Sequence, residues 1–142
     1  MRALRRWIVG LLAGGLLVGC SRAPEQLPGS GAKECVQVYY EAILQEDWPK
    51  AYAALDPQSR GRCSQQQFSQ LARNYRASLG FEPEEIHVRA CEERGKEATA
   101  HVVLTGRTAT QDRRYKDSVT LHRGDDAWRV ILPPNFGGAK KR

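Results

Sequence analysis

Residues 115–132 read YKDSVTLHRGDDAWRVIL. Val119, Leu121, Trp128 and Val130 alternate with polar side chains on either side of a turn signal at Gly124-Asp125, the period-two pattern of a half-buried hairpin. Two strands folded at that turn place Leu121 opposite Trp128 and Val119 opposite Val130, which puts four apolar side chains on one face. Pro133-Pro134 then stops the second strand, because proline has no amide to donate to a ladder. A sheet with one apolar face needs a second layer to cover it.

Working outward, EIHVRA (85–90) alternates Ile86, Val88 and Ala90 against His87 and Arg89, and TAHVVLT (99–105) reads as a second strand after a turn at Gly95-Lys96. GRTATQDRRYKD (106–117) reads as a basic, polar hairpin loop. Before residue 80 the period changes to that of a helix. In ECVQVYYEAILQED (34–47), Val36, Tyr40, Ile43 and Leu44 share one stripe. Asp47 is an N-cap for a short second helix with Pro49 in its first turn and Trp48, Ala51, Tyr52 and Leu55 apolar. Asp56-Pro57 ends that helix. Ser64 and Gln67 have capping-box spacing and open a third helix through Phe68, Leu71, Ala72 and Tyr75, which Gly80 terminates. The expected class is α+β, with three N-terminal helices on one face of an antiparallel sheet of about four strands.

The N-terminus is an address. Arg2, Arg5 and Arg6 precede an apolar and glycine run from Trp7 to Gly19, too short to span a bilayer but typical of a signal-peptide core. Leu17-Val18-Gly19-Cys20 resembles the lipobox of bacterial lipoproteins. The resemblance implies removal of residues 1–19 and acylation of Cys20, whose several acyl chains would hold the protein on a membrane. It also implies a cell-envelope protein facing the periplasm or exterior. Ser21, in place of an aspartate, favours the outer membrane where the host has one. SRAPEQLPGSGAK (21–33) has two prolines, two glycines and no apolar period, and so reads as a flexible tether that, with the acylated Cys20, fills 20–33. One domain is expected over 34–134, followed by a basic tail, 135–142.

Half of the formal net charge of +6 comes from the three leader arginines. An exported domain seldom meets nucleic acid, so none is expected as a partner. An anionic membrane surface is the natural electrostatic partner of Lys140-Lys141-Arg142.

VYYEAILQEDWPKAYAALDPQSR (38–60) and DDAWRVI (125–131) resemble the opening and closing segments of small NTF2-like (cystatin-like) domains found in bacterial lipoproteins. The resemblance implies a curved sheet and a cone between sheet and helices. Enzymes, carriers and adaptors share that fold, so it does not choose among functions.

Candidate site residues follow from parity. Asp117 shares a face with Val119 and Leu121, so its carboxylate points to the core side, where a general acid or base could be tuned. Its strand-end position also allows contact with water, Arg113 or Arg114. Tyr40, Trp48, Tyr52 and Tyr75 are candidates to line the cone. His87, His101 and His122 fall on the opposite, polar parity, so no metal site is expected from them. With Cys20 acylated, Cys35, Cys63 and Cys91 remain. One bridge, Cys35–Cys63 or Cys63–Cys91, and a spare thiol are expected in an oxidising compartment, and the absence of C-x-x-C spacing argues against zinc. No phosphate loop, serine elbow or metalloprotease helix appears, and no cofactor is expected. The first functional expectation is a lipid-anchored, non-catalytic domain that binds a small apolar ligand or an envelope partner. The competing one is an isomerase or dehydratase using Asp117, marked by a deep pocket with a polar partner beside that carboxylate. A third is a structural module that forms a homodimer through the sheet.

Overall fold

The computed structural model describes residues 31–124 and 127–138. The leader, Cys20, most of the tether and the end of the basic tail therefore lie outside the described residues. The elements run α1 (Gly31–Leu44), α2 (Trp48–Ala53), α3 (Pro57–Arg62), α4 (Gln65–Ser78), β1 (Glu82–Arg94), β2 (Glu97–Arg107), β3 (Asp112–Arg123) and β4 (Trp128–Ile131). The strands form one antiparallel sheet in the order β1-β2-β3-β4. The α+β layout is as the sequence predicts, with four helices rather than three.

The extra helix has a local cause. Asp56 accepts a hydrogen bond from the Ser59 amide at 3.0 Å, and Pro57 occupies the first turn, so Asp56-Pro57 starts a helix as well as ending one. The other caps form as expected. Asp47 accepts from the Lys50 amide, Ser64 and Gln67 close a reciprocal capping box at 3.2 and 2.8 Å, and Gly80 turns the chain at φ +74°.

Three details of the sheet differ from expectation. The strands β2 and β3 extend to Arg107 and back from Asp112, so most of the expected 106–117 loop is ladder. At the hairpin, Gly124 donates to the Ala127 carbonyl at 3.0 Å and closes a loop of only 124–127. Leu121 therefore faces Val130, and Trp128 faces Arg123. A shift of two residues keeps every side chain on its expected face. In β1, the register slips between Val88 and Ala90, which exposes Ala90 and turns Cys91 inward opposite Ala100.

The core lies between the sheet and the helices. Ile86, Ala98, Ala100, Val102, Leu104, Val119, Leu121 and Val130 pack under Val36, Tyr39, Tyr40 and Ile43 of α1 and Phe68, Ala72 and Tyr75 of α4. The strand β4 pairs only with Thr120–Arg123 of β3. Its other edge is taken by the chain between α2 and α3: the Val130 amide donates to the Ala54 carbonyl at 2.8 Å, and the Asp56 amide to Val130 at 2.9 Å. Beyond β4, the buried Ser59 hydroxyl accepts from the Leu132 amide at 3.0 Å, and Arg62 donates to the Leu132 carbonyl at 2.8 Å. The chain then crosses α4, where Phe136 stacks on Phe68 and Tyr75 at 5.9 and 5.0 Å.

At Gly106 the backbone of β2 passes close to its neighbour, since a methyl group there would collide with the Glu82 carbonyl and the Phe81 ring. G106A is expected to lower unfolding stability by about 1–3 kcal/mol through overpacking. T120A, on the exposed outer face, should stay within about 0.5 kcal/mol of the parent. Guanidinium denaturation of the three proteins side by side checks both values.

Candidate functional site

Asp117 sits on β3 opposite Val102, with Tyr115 and Val119 on the same side of the strand. Its Oδ2 accepts the Tyr40 hydroxyl of α1 at 2.9 Å and the Tyr75 hydroxyl of α4 at 2.7 Å. Its Oδ1 accepts the Ser118 amide at 2.8 Å. One carboxylate thus joins two helices to the sheet. Burial, and then the charge of Asp117, push the Tyr39 and Tyr75 phenols far above their ordinary range. Tyr40 is raised for the same first reason, with Tyr75 and Asp117 adding. All three phenols therefore remain protonated at neutral pH, and Tyr40 and Tyr75 serve as fixed donors.

Beside this cluster opens a cleft of about 510 Å³, walled by Tyr39, Tyr40, Tyr75, Tyr115, Asp117 and Phe136. Tyr39 and Tyr40 meet edge to face at 5.2 Å, and Tyr75 and Tyr115 do so at 6.3 Å. Asn135, Gly137 and Gly138 complete it from the C-terminal segment. Among the described residues that line it there is no lysine, arginine or histidine.

The structure brings together Asp117, Tyr40 and Tyr75 of the residues singled out from sequence, and separates the others. Tyr52 turns away and donates to the Cys63 and Arg60 carbonyls at 2.8 and 3.1 Å, closing α3. Trp48 stands under the Arg73 guanidinium, 5.6 Å from its ring centre. Neither lines the cleft, because the short α2 directs both toward α3 and α4 rather than toward β3. Asp117 forms no ion pair with Arg113 or Arg114.

No disulfide joins Cys35, Cys63 and Cys91, which are free, half-buried thiols, so the expected bridge is corrected. The separate helix α3 keeps Cys63 at its own end, where the sulfur contacts the Ser59 carbonyl at 3.8 Å. Cys35 donates to the Trp128 carbonyl at 3.3 Å. Burial pushes the Cys35 thiol up to about 11, against the opposing pull of Arg129 and with a further push from Cys91. Burial and the nearby Glu93 and Glu34 also raise the Cys91 thiol. These two sulfurs, and not Cys63, share an environment at the start of α1.

The histidines are exposed on the outer sheet face. His87 approaches Glu85 at 3.3 Å, and His101 Nδ1 lies 3.3 Å from the Ser118 hydroxyl. Among the described residues no cluster of histidine, cysteine and carboxylate groups is placed to hold a metal. An open concavity of about 650 Å³ on this face, larger than the aromatic cleft, is bordered by Arg89, His101, Arg114 and Lys116.

Tyr39, Tyr115 and Phe136 are site residues that the sequence reading did not single out. Tyr115 carried a usable signal, since it has the parity of Asp117. Tyr39 also carried a signal, since it stands three residues after Val36 and four before Ile43 on the same helical stripe, whereas Phe136 follows the prolines that end the last strand.

No family model matches the chain, and no curated protein matches it. Solved structures do. A Campylobacter jejuni protein described as an NTF2-like transpeptidase aligns with a TM-score of 0.58 and 14% identity, over 73% of this chain and 100% of its own. A SEC-C motif protein from Psychrobacter arcticus aligns with a TM-score of 0.57 and 11% identity over 74% of this chain, which spans 60% of that protein. Another from Rhodopseudomonas palustris gives 0.53 and 15% over 69% and 73% of the two chains. At such identities the likeness shows the fold alone, an α+β fold with NTF2-like neighbours.

The phenols titrate at higher pH in the folded protein than in the unfolded chain. The unfolded chain therefore loses their protons first, so the stability they contribute is fully present below about pH 10 and falls above it. Denaturation midpoints measured from pH 8 to 11 should decline above about pH 10, and less steeply in Y75F. Separately, D117A is expected to cost about 2–4 kcal/mol at pH 7, since it leaves two buried phenol donors unpaired, with D117N losing less because its amide oxygen still accepts.

Proposed function

We propose that the protein is a lipid-anchored component of a bacterial cell envelope, held to the membrane through acylated Cys20. In this reading its NTF2-like domain is non-catalytic and binds one small ligand with an apolar body, in the cone opening between sheet and helices. The observation that carries the proposal is the aromatic cleft of about 510 Å³ closed at one side by Asp117. Its volume suits a small molecule, and its walls combine aromatic rings with the polar groups of Ser78, Asp117, Ser118 and Asn135, so a ligand with an apolar body and a polar end is matched on both counts. What supports the anchor is the Leu17-Val18-Gly19-Cys20 sequence after a short apolar run; among the described residues no helix is long and apolar enough to cross a membrane.

A catalytic reading of the isomerase or dehydratase type has one observation in its favour: Tyr40 and Tyr75 lie within hydrogen-bond reach of Asp117 in the cleft. The same bonds weigh against it. Both phenols donate to one carboxylate oxygen, the amide of Ser118 occupies the other, and the phenols are raised too far to exchange a proton near neutral pH. Asp117 is the sole carboxyl group among the described residues lining the cleft. Transpeptidation, suggested by the description of one structural neighbour, needs an activated nucleophile. Ser78 has no histidine or lysine among the described lining residues, and the one histidine within reach of Ser118, His101 at 3.3 Å, stands on the exposed outer face of the sheet rather than in the cleft.

The anchor and the cleft are tested separately. Expressed in a bacterium that processes lipoproteins, the parent should sediment with membranes and have a mass beginning at Cys20 plus acyl chains. C20A should lose both, and a parent that retains Met1 without acylation would refute the anchor. For the cleft, the neutral dye Nile red should bind saturably at one site. N135W should weaken it several-fold by filling the mouth, and unsaturable binding in the folded parent would refute the cleft reading.

A further inference from the structure

Within the described residues, the carboxylate of Asp117 has no cationic partner. Among the described residues no lysine, arginine or histidine forms an ion pair with it, and none lines the aromatic cleft. Arg114 and Lys116 flank it in sequence, but strand parity sends them to the outer face, where they are exposed and border the other concavity. Asp117 and Ser118 border that concavity as well, since β4 does not reach this part of β3. The outer charges stand in open solvent, whereas the cleft side is walled by rings.

A carboxylate surrounded by aromatic rings selects by charge. An anionic ligand would meet like charge. A neutral ligand could use only the lone pair of Oδ1 that Ser118 leaves free. An ammonium group uses that lone pair and is also attracted to the negative faces of the rings. Tyr115 and Phe136 are half-buried, so part of their ring surface remains open to the cleft. We infer that the ligand of this cleft carries an organic ammonium head, placed against Asp117, with its apolar body along Tyr115 and Phe136. The inference rests on the cleft being a ligand site and adds the charge of what it holds.

Benzylamine, benzyl alcohol and benzoate share one ring and differ in charge. Equilibrium dialysis of the full chain in a non-ionic detergent at pH 7 should give benzylamine a Kd lower than that of benzyl alcohol by about tenfold, with benzoate weakest. D117N should bring the amine and the alcohol to similar affinities while keeping the alcohol's own. Y115L should weaken the amine several-fold and the alcohol less, and it carries the test if D117N does not fold. Equal binding of amine and alcohol to the parent, or an amine preference that survives D117N, overturns the ammonium inference and leaves the cleft standing. Absence of saturable binding by all three overturns both.

Discussion

The carboxylate of Asp117 cannot be placed under the helices unless donors meet it there, and that requirement organises the middle of the molecule. Tyr40 from α1, Tyr75 from α4 and the Ser118 amide supply them. A carboxylate transferred from water without such partners would be expelled or protonated. Because each donor comes from a different element, satisfying one side chain fixes two helices against the sheet. The phenols have no free choice either. They are buried among apolar groups, and without the carboxylate each would be an orphaned donor. No buried side-chain nitrogen or oxygen among the described residues lacks a partner, so the polar cluster is closed in on itself except toward the cleft.

The cleft exists because β4 is short. Four residues of β4 pair with the end of β3, and the far edge of β4 is claimed by residues 54–56, with Ser59 and Arg62 securing the chain just after it. The strand therefore cannot slide along β3 to cover Asp112–Val119. A longer β4 would pair with Ser118 and close the opening. Instead the chain leaves at Pro133, crosses α4 and lays Phe136 against Tyr75. Gly137 allows that close pass, at φ +64° and with its Cα against the Leu71 backbone, where a side chain would collide.

Much of this was legible in the sequence because it depends on period and on local chemistry. Alternation in 115–132 fixed which face each residue takes, and a hairpin register wrong by two residues left those faces unchanged. The capping residues Asp47 and Ser64 act over three residues, so their helices were readable from a few letters. Asp56-Pro57 was readable as a stop but not as a start, since the same dipeptide serves both roles and only the following turn distinguishes them. What failed depended on distance in space. The thiols were paired from approximate helix and strand lengths, and no bridge joins them: Cys63 lies against the Ser59 carbonyl of α3, whereas Cys35 donates to the Trp128 carbonyl of β4. Aromatic residues near the first helix looked equivalent, yet Tyr40 reaches Asp117 while Tyr52 serves α3 and Trp48 serves Arg73. The bulge at Arg89 left no mark in the alternation and changed the parity of Ala90 and Cys91.

Asp117 does more than packing requires. If its only task were to join helices and sheet, an apolar residue at 117 with phenylalanines at 40 and 75 would fill the same space without the cost of desolvating a charge, and such replacements are often neutral or stabilising. The cluster instead places a carboxyl group at the wall of an aromatic cleft, oriented by donors that hold their own protons. Oriented in advance, that group loses little freedom when a ligand arrives, which is how a rigid site gains affinity from a single polar contact. The same bonds that make the carboxylate a poor proton carrier make it a good fixed charge, and that combination fits a binding site better than a reaction centre.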